Sequence, residues 1–139
     1  MRRPLAIALT IFVAGCAHSH AITPRVESTA GAFADSAPIE VMLANFDFTP
    51  PVLHLRAGRP YRLTLTDVAS GSHDYSAPAF FAAARVAPQD AAKVAGGEVE
   101  LKGGESKTIH VIPAAGRYKV VCTHLGHMLL GMKGEIVVD

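Results

Sequence analysis

From Pro38 to the C-terminus, short apolar stretches rich in β-branched and aromatic residues alternate with turns that contain Pro or Gly. The clearest stretch is Tyr61-Arg-Leu-Thr-Leu-Thr66, where apolar and polar side chains alternate as in a strand with one buried face. Strands are predicted in this way at residues 39–43 with 46–48, 52–55, 61–66, 73–76, 97–101, 107–112, 117–121 and 134–138. About eight short strands at this spacing predict an all-β fold, an antiparallel β-sandwich.

Residues 78–94 interrupt this pattern. They are rich in Ala, carry Phe80 and Phe81 near their start, and are divided by Pro88. Because Pro suits the first position of a helix, Pro78 predicts the start of a helical turn. We expect one or two short helical turns laid over an end of the sheets.

The N-terminus has the pattern of an export signal. Met1-Arg-Arg3 is followed by the uncharged run Leu5–Ala14, which is too short to span a bilayer at roughly 20 residues per helix. Val13-Ala-Gly-Cys16 resembles the lipobox of bacterial lipoproteins, in which the cysteine is lipidated. The alternative is ordinary signal cleavage, for instance after Ala21. Both predict export, and the lipobox further predicts a periplasmic protein anchored by lipid, with Ala17 favouring the outer membrane by analogy.

Three segments follow from this pattern. Residues 1–16 are predicted to be a lipoprotein signal peptide, residues 17–37 a flexible tether, and residues 38–139 the folded domain. The formal net charge of +1 becomes about −1 once Arg2 and Arg3 leave with the signal peptide. That balance offers no basic stripe for nucleic acid and no polybasic patch for a membrane surface.

Cysteine usage is also informative. Lipidation or removal of Cys16 leaves Cys122 as the one thiol of the mature chain, so an internal disulfide cannot form. An unpaired cysteine in an oxidising compartment is a liability unless something occupies it. A metal ion would do so.

Cys122 opens a loop, Cys122-Thr-His-Leu-Gly-His127-Met-Leu-Leu-Gly-Met132, in which four residues separate each of these numbered residues from the next. A thiolate, imidazoles and a weak axial thioether are the ligand set of a mononuclear blue copper site. The loop therefore predicts most of such a site, and a second imidazole must complete it.

The other histidines of the folded body are His54, His73, His110 and His124. His54 and His110 fall inside predicted strands, where an exposed or hydrogen-bonded role is the default. His73 directly follows a short loop, Ala69-Ser-Gly-Ser72. A histidine at the edge of such a loop is how a β-sandwich can bring a ligand that is distant in sequence to one end of the fold. His124 stands two residues after Cys122 and would share its face on a strand, so it stays an alternative.

Taken together, these residues resemble those of the cupredoxins, the blue copper proteins of the plastocyanin and azurin type. The resemblance covers about residues 38–139 and rests on Phe46-Asp-Phe-Thr-Pro50, Leu55-Arg-Ala-Gly58, Leu63-Thr-Leu-Thr66, Ser72-His-Asp-Tyr75 and the loop from Cys122 to Gly134. It implies a Greek-key sandwich that holds one copper ion through His73, Cys122, His127 and Met132. The alternatives are His124 in place of His127 and Met128 in place of Met132.

Two features depart from the family pattern. One more residue separates His127 from Met132 than in azurins, as in rusticyanin-like members. Asp74 stands where many members carry an Asn that braces the cysteine loop. A carboxylate can accept backbone N–H bonds there, and its charge near the metal would favour Cu(II). The alternative for Asp74 is a surface residue beside a ligand.

The resemblance also implies a function. It implies a monomeric one-electron carrier that cycles Cu(II) and Cu(I), with a cytochrome, oxidase or reductase docking on an exposed patch of Met128, Leu129 and Leu130. The alternative for the patch is that these side chains turn inward and seal the site. An enzyme is not expected, because four protein ligands leave no open position for substrate. The alternative functions are copper buffering, delivery or resistance with a copper-trafficking partner, and a catalytic Cys–His pair.

Overall fold

The computed structural model describes residues 21–139, so the predicted signal peptide, Cys16 and the start of the tether lie outside the described residues. The strands are β1 (Arg25–Val26), β2 (Ala37–Ala44), β3 (Asp47–Thr49), β4 (Val52–Leu55), β5 (Tyr61–Asp67), β6 (His73–Ser76), β7 (Arg85–Val86), β8 (Glu98–Leu101), β9 (Ser106–Ile112), β10 (Gly116–Val121) and β11 (Lys133–Val138). The helical turns are α1 (Pro78–Ala83), a 3-10 turn (Pro88–Asp90) and α2 (Ala91–Val94). Within residues 21–139 no helix has the length and apolar character needed to cross a membrane.

The strands form two sheets around one hydrophobic core. The six-stranded sheet has the order β1-β7-β9-β5-β2-β3, and the five-stranded sheet has the order β4-β11-β10-β6-β8. The predicted sandwich is confirmed, with the first predicted strand region divided into β2 and β3. The sequence did not predict β1 and β7, because two residues are too few to show a period.

Strand pairing differs from the sequence prediction. We expected antiparallel pairing, and the sheets are mixed, with parallel pairs between β2 and β5, β4 and β11, and β1 and β7. The chain leaves the first sheet after β3, adds β4 to the other sheet, and returns in β5. Such a crossover lets β5 run in the same direction as β2. The alternation of apolar and polar residues indicates which face of a strand is buried. It does not indicate the direction in which the neighbouring strand runs.

The core follows the predicted alternation. In β5 the side chains of Tyr61, Leu63 and Leu65 are buried between the sheets. The helix α1 begins at Pro78 as predicted, and it buries Phe80 and Phe81 in the same core. Burying one such aromatic side chain contributes about 1.5–3 kcal/mol, so the helical insertion stabilises the sandwich.

Part of the segment predicted as a tether is joined to the sandwich. The N–H of Ile22 donates to the carbonyl oxygen of Ala95 at 2.9 Å, and β1 pairs with β7. Glu27 and Arg85 form an ion pair beside this contact. The residues packed against the sandwich therefore begin before Pro38, the position at which the sequence placed the domain boundary.

One end of the five-stranded sheet collects the segments that carry the candidate ligands. In the antiparallel pair of β10 and β11, Val121 lies opposite Lys133, so the loop between them leaves and re-enters at the same end. β6 joins β10 through the pairing of Ser76 with Val121. The start of β6, which is His73, is thereby brought beside residues 122–132.

Candidate metal centre

The loop from Cys122 to Met132 is closed by its own backbone. The N–H of Cys122 donates to the carbonyl oxygen of Met132 at 3.2 Å, which extends the pairing of β10 and β11 by one step. The N–H of Met132 in turn donates to the carbonyl oxygen of His127 at 3.1 Å. The backbones of the three candidate ligands of this loop are therefore tied to one another.

Glycines make the tight path of the loop possible. Gly126 has φ +82° and Gly131 has φ +108°, in the region that side chains with a Cβ rarely adopt. The N–H of Leu130 donates to the carbonyl oxygen of Gly126 at 3.0 Å, which holds a helical turn after His127. The glycine before each of His127 and Met132 thus has a conformational reason.

Cys122 and His127 face each other inside the loop. The Sγ atom of Cys122 lies 3.5 Å from Nδ1 of His127, and Cys122 is fully buried. Sulfur and nitrogen ligands of one tetrahedral ion, at bond lengths of about 2.3 and 2.0 Å, are about 3.5 Å apart. Burial raises the pKa of the Cys122 thiol, and the nearby carboxylates of Asp74 and Glu100 add to that rise. The separation fits two donors to one metal ion.

His73 supplies a second imidazole at the same place. Its ring centroid lies 5.0 Å from that of His127, and its side chain is fully buried. Nδ1 of His73 is hydrogen-bonded to Oδ2 of Asp67 at 3.0 Å. Nε2 is the one buried side-chain nitrogen or oxygen in residues 21–139 that has no hydrogen-bond partner. Since buried polar atoms are nearly always paired, this atom points to a ligand.

Asp74 holds the start of the cysteine loop. Its Oδ2 accepts hydrogen bonds from the N–H of Thr123 at 2.9 Å and from the Thr123 hydroxyl at 2.6 Å, and the carboxylate is buried. Oδ2 also lies 4.0 Å from Sγ of Cys122. These contacts brace the cysteine loop, as expected for a residue at this position. The effect of the Asp74 charge on a metal ion stays a prediction.

His124 has a different partner. Its Nε2 lies 3.0 Å from Oε1 of Glu100, and its ring stacks on that of His127 at 5.6 Å between centroids. Glu100 reaches this place because it lies opposite Asp74 in the pairing of β6 with β8. His124, Glu100 and Asp74 form the one group of three or more His, Cys, Asp or Glu side chains within the described chain whose donor atoms are close enough to share an ion.

The methionines separate by burial. Met132 is fully buried behind the loop, whereas Met128 is exposed, as are Leu125, Leu129 and Leu130. We call Leu125, Met128, Leu129 and Leu130 the apolar patch. Sequence reasoning included all of these except Leu125, which stands alone between His124 and Gly126 and gave no signal.

Phe46 borders His127 edge-on, with ring centroids 5.1 Å apart. Two histidines are not brought to this end. His54 is exposed on β4, and His110 is hydrogen-bonded to Asp90 at 2.9 Å. Sequence reasoning did not find Asp67 or Glu100, because only strand pairing and loop packing bring these carboxylates next to histidines.

Comparisons with known proteins agree with the sandwich fold described above. Neither a protein-family model nor a curated protein matches the chain. Solved structures do match. Sodium-dithionite-reduced auracyanin from the photosynthetic bacterium Roseiflexus castenholzii is 22% identical with a TM-score of 0.54, covering 75% of this chain and 98% of that one.

Two further auracyanins resemble the chain. Auracyanin B is 21% identical with a TM-score of 0.56, covering 86% of this chain and 96% of that one. Auracyanin A, a blue copper protein from the green thermophilic photosynthetic bacterium Chloroflexus aurantiacus, is 21% identical with a TM-score of 0.51, covering 75% and 99%. At these identities the likeness establishes the fold, and the chain is a β-sandwich of the cupredoxin type.

Proposed function

We propose that the chain is a blue copper protein that carries single electrons, with one copper ion held by His73, Cys122, His127 and Met132. The observation that carries this proposal is the meeting of a buried thiol, a ring nitrogen 3.5 Å from it, and a neighbouring buried imidazole whose Nε2 has no partner. These donors come from two distant segments, the start of β6 and the loop before β11. A chance surface cluster has no need of such burial.

The contacts support these ligand identities. His127 is preferred to His124, because Nε2 of His124 is already engaged by Glu100 while Nδ1 of His127 faces the thiol. Met132 is preferred to Met128, because Met132 is buried and its backbone is tied to Cys122. Such a thiolate and imidazole set binds Cu(I) and Cu(II) and passes one electron between them. The protein's part is to hold the donors still, which the closed loop and the buried carboxylates do.

Electron exchange is assigned to the face that carries the apolar patch. The patch residues flank the partly exposed His127 in sequence, and their exposed apolar side chains gain free energy when a partner covers them. A redox partner with an apolar contact surface, such as a cytochrome, oxidase or reductase, would dock there and approach the His127 ring. This role suits a carrier better than an enzyme, because the proposed ligand set leaves no position for substrate.

Copper delivery and nucleophilic catalysis are the competing functions. Both require access to the thiol, and Cys122 is fully buried. A buried Met132 also favours retention of the ion over its transfer to another protein. Offering the copper-loaded protein a chelator and a redox partner separates carrier from chaperone: a carrier exchanges electrons rapidly and keeps its metal.

The cellular location is part of the same proposal. The sequence pattern at residues 13–16 supports export, lipidation of Cys16 and a periplasmic domain, and Ala17 favours the outer membrane by analogy. Full-length protein is expected in the membrane fraction, and Cys16→Ala is expected to move it to the soluble fraction. Unchanged fractionation of that variant would contradict lipidation.

The test of the function is a titration of the mature domain with Cu(II). Wild type should develop intense visible thiolate-to-copper charge transfer that saturates at one equivalent, and Cys122→Ser should lose it. His54→Ala is the matched control, because this exposed histidine on β4 should leave the band unchanged. A wild-type protein that shows no such band would overturn the proposal.

A further inference from the structure

The ring of His127 is held differently from that of its neighbour His124. Nε2 of His124 lies 3.0 Å from a carboxylate oxygen of Glu100. Among residues 21–139, the one hydrogen-bond contact of the His127 ring is that of its Nδ1 with Sγ of Cys122, at 3.5 Å. The orientation of the His127 ring therefore depends on the side chains that pack around it.

Three rings border the ring of His127. Those of His73 and His124 have their centroids 5.0 and 5.6 Å away. The third is the ring of Phe46, with a centroid distance of 5.1 Å and an angle of 76° between the two planes. This is the edge-to-face arrangement that aromatic rings prefer. His73 is a proposed ligand and His124 is engaged by Glu100, so Phe46 is the bordering ring that acts on His127 through packing alone.

Phe46 reaches His127 from the other sheet. It lies in the turn between β2 and β3, at the edge of the six-stranded sheet, whereas the ligand loop joins β10 and β11 of the five-stranded sheet. β2 and β3 pair as far as Ala44 and Asp47, directly on either side of this turn. The carbonyl oxygen of Phe46 lies 4.0 Å from the position that a Cβ on Gly131 would take, so the turn also meets the backbone of the ligand loop. A paired hairpin therefore holds the Phe46 ring independently of the loop.

The same ring covers one side of the imidazole. Phe46 is 36% exposed and His127 is partly exposed, so both rings lie where the site meets solvent. The apolar shell around a metal site controls the access of solvent to it. An aromatic ring at this position leaves less of the His127 ring open to water.

We propose that Phe46 is a positioning residue for the metal centre, whose ring holds the imidazole of His127 facing Cys122 and thereby strengthens the binding of copper. This inference rests on the proposed function. An imidazole on a loop can rotate about its side-chain bonds, and a ligand that rotates away leaves the ion with fewer donors. A ligand locked by packing stays within the narrow range of geometries that a site needs. Because this packing requires no metal, the ring is ordered before the ion arrives.

The first test needs no copper. Carbon-13 and nitrogen-15 relaxation of the histidine rings in the metal-free protein measures how far each ring moves on the nanosecond timescale. Phe46→Leu keeps an apolar side chain but removes the aromatic ring, and it should make the His127 ring more mobile than in wild type. Phe46→Tyr keeps the ring and should leave His127 as ordered as in wild type. Equal mobility of the His127 ring in wild type and in Phe46→Leu would overturn the inference.

The second test measures affinity for Cu(I) by equilibrium competition with a chelator. Loss of a residue that supports a ligand weakens metal binding by about 10–100-fold, and packing without a hydrogen bond belongs at the lower end of that range. Phe46→Leu should therefore bind Cu(I) about tenfold more weakly than wild type. Phe46→Tyr should bind it as wild type does. Wild-type affinity in Phe46→Leu, or an equal loss in both variants, would contradict a role for the ring.

Phe33→Leu is the matched control. Phe33 also meets a histidine edge-on, His110, with ring centroids 6.1 Å apart and planes at 70°. His110 pairs with Arg62 near the start of β5, whereas the metal centre lies beyond the end of that strand. Phe33→Leu should keep the wild-type Cu(I) affinity, and a loss equal to that of Phe46→Leu would overturn the inference. If wild type gives no thiolate-to-copper band, the proposed function fails, while relaxation of the metal-free protein still decides whether Phe46 orders His127.

Discussion

Asp74 accepts two hydrogen bonds from Thr123 on a single oxygen, one from the backbone N–H at 2.9 Å and one from the hydroxyl at 2.6 Å. The pair links β6, which carries His73, to the residue that follows Cys122. Asp74→Ala should destabilise the metal-free protein by about 1–3 kcal/mol, because the Thr123 donors lose their acceptor. Urea unfolding measures the loss.

A double-mutant cycle isolates this link. Thr123→Val removes the hydroxyl alone and should cost about 1 kcal/mol. Because the two side chains are in contact, the double variant should be more stable than the sum of the single losses predicts, by about 0.5 kcal/mol or more. Strict additivity would mean that the two residues do not support each other.

The two imidazoles of the loop should behave differently. His127→Ala should abolish the visible charge-transfer band, because Nδ1 of His127 is the nitrogen that lies 3.5 Å from the thiol. His124→Ala and Glu100→Gln should retain it, because His124 is held by Glu100 outside the proposed ligand set. Absorption spectra after addition of Cu(II) decide the matter. Retention of the band in His127→Ala and its loss in His124→Ala would reverse the assignment.

Gly126→Ala tests the backbone of the loop. Nothing lies within 4 Å of the position that a Cβ would take, so the substitution meets strain rather than a clash, at φ +82°. We expect a loss of about 1–2 kcal/mol in the free energy of unfolding. Gly71→Ala is the control, because that site is equally open and does not have a left-handed φ. Equal stability of the two variants would show that the left-handed turn does not constrain the loop.

Acid should weaken the contact between Asp90 and its neighbours. Burial on its own raises the pKa of Asp90, but hydrogen bonds from Lys93 and from His110 outweigh it and hold the pKa below its usual range. The folded state therefore binds this proton less readily than the unfolded chain. The resulting stability is present above the unfolded pKa of about 3.9 and is lost as the pH falls through the folded-state value.

The measurement is urea unfolding at pH 5 and at pH 3. Asp90→Asn should be less stable than wild type at pH 5, and the difference should shrink at pH 3. A difference that is the same at both values would exclude a contribution from the carboxylate charge.

A charge in the apolar patch should slow electron exchange between copies of the protein. Leu129→Lys places like charges opposite each other when two patches meet, and we expect the self-exchange rate of the copper-loaded protein to fall by roughly tenfold or more. Val26→Lys is the control, because Val26 is also exposed but lies on β1. NMR line broadening in mixtures of the two oxidation states gives the rates. A similar decrease in both variants would place the exchange surface elsewhere.

Much of the fold was predictable because local patterns carry it. The alternation of Tyr61, Leu63 and Leu65 matches their burial, and β4 and β6 have the bounds that the sequence indicated. The parallel pairing of β2 with β5 was not predictable, since it depends on a crossover between sheets rather than on any residue.

The candidate site divides in the same way. The loop residues could be named because Cys122, His127 and Met132 are close in sequence, and His73 could be named through the family resemblance. Asp67 and Glu100 could not be named from the sequence. Each is an acidic residue of a strand, and only the packing of the folded chain places it against an imidazole. Contacts between residues that are far apart in sequence cannot be found from the spacing of residues along the chain.

The hydrogen bond from Cys122 to Met132 also separates the loop from the two strands that carry it. It sits at the last step of the β10–β11 ladder, so a residue gained or lost between the two ends leaves the register of both strands unchanged. The spacing among the three proposed donors of the loop can then change while both strands keep their pairing. Changes in the length of the loop are therefore separated from the pairing of the strands that carry it.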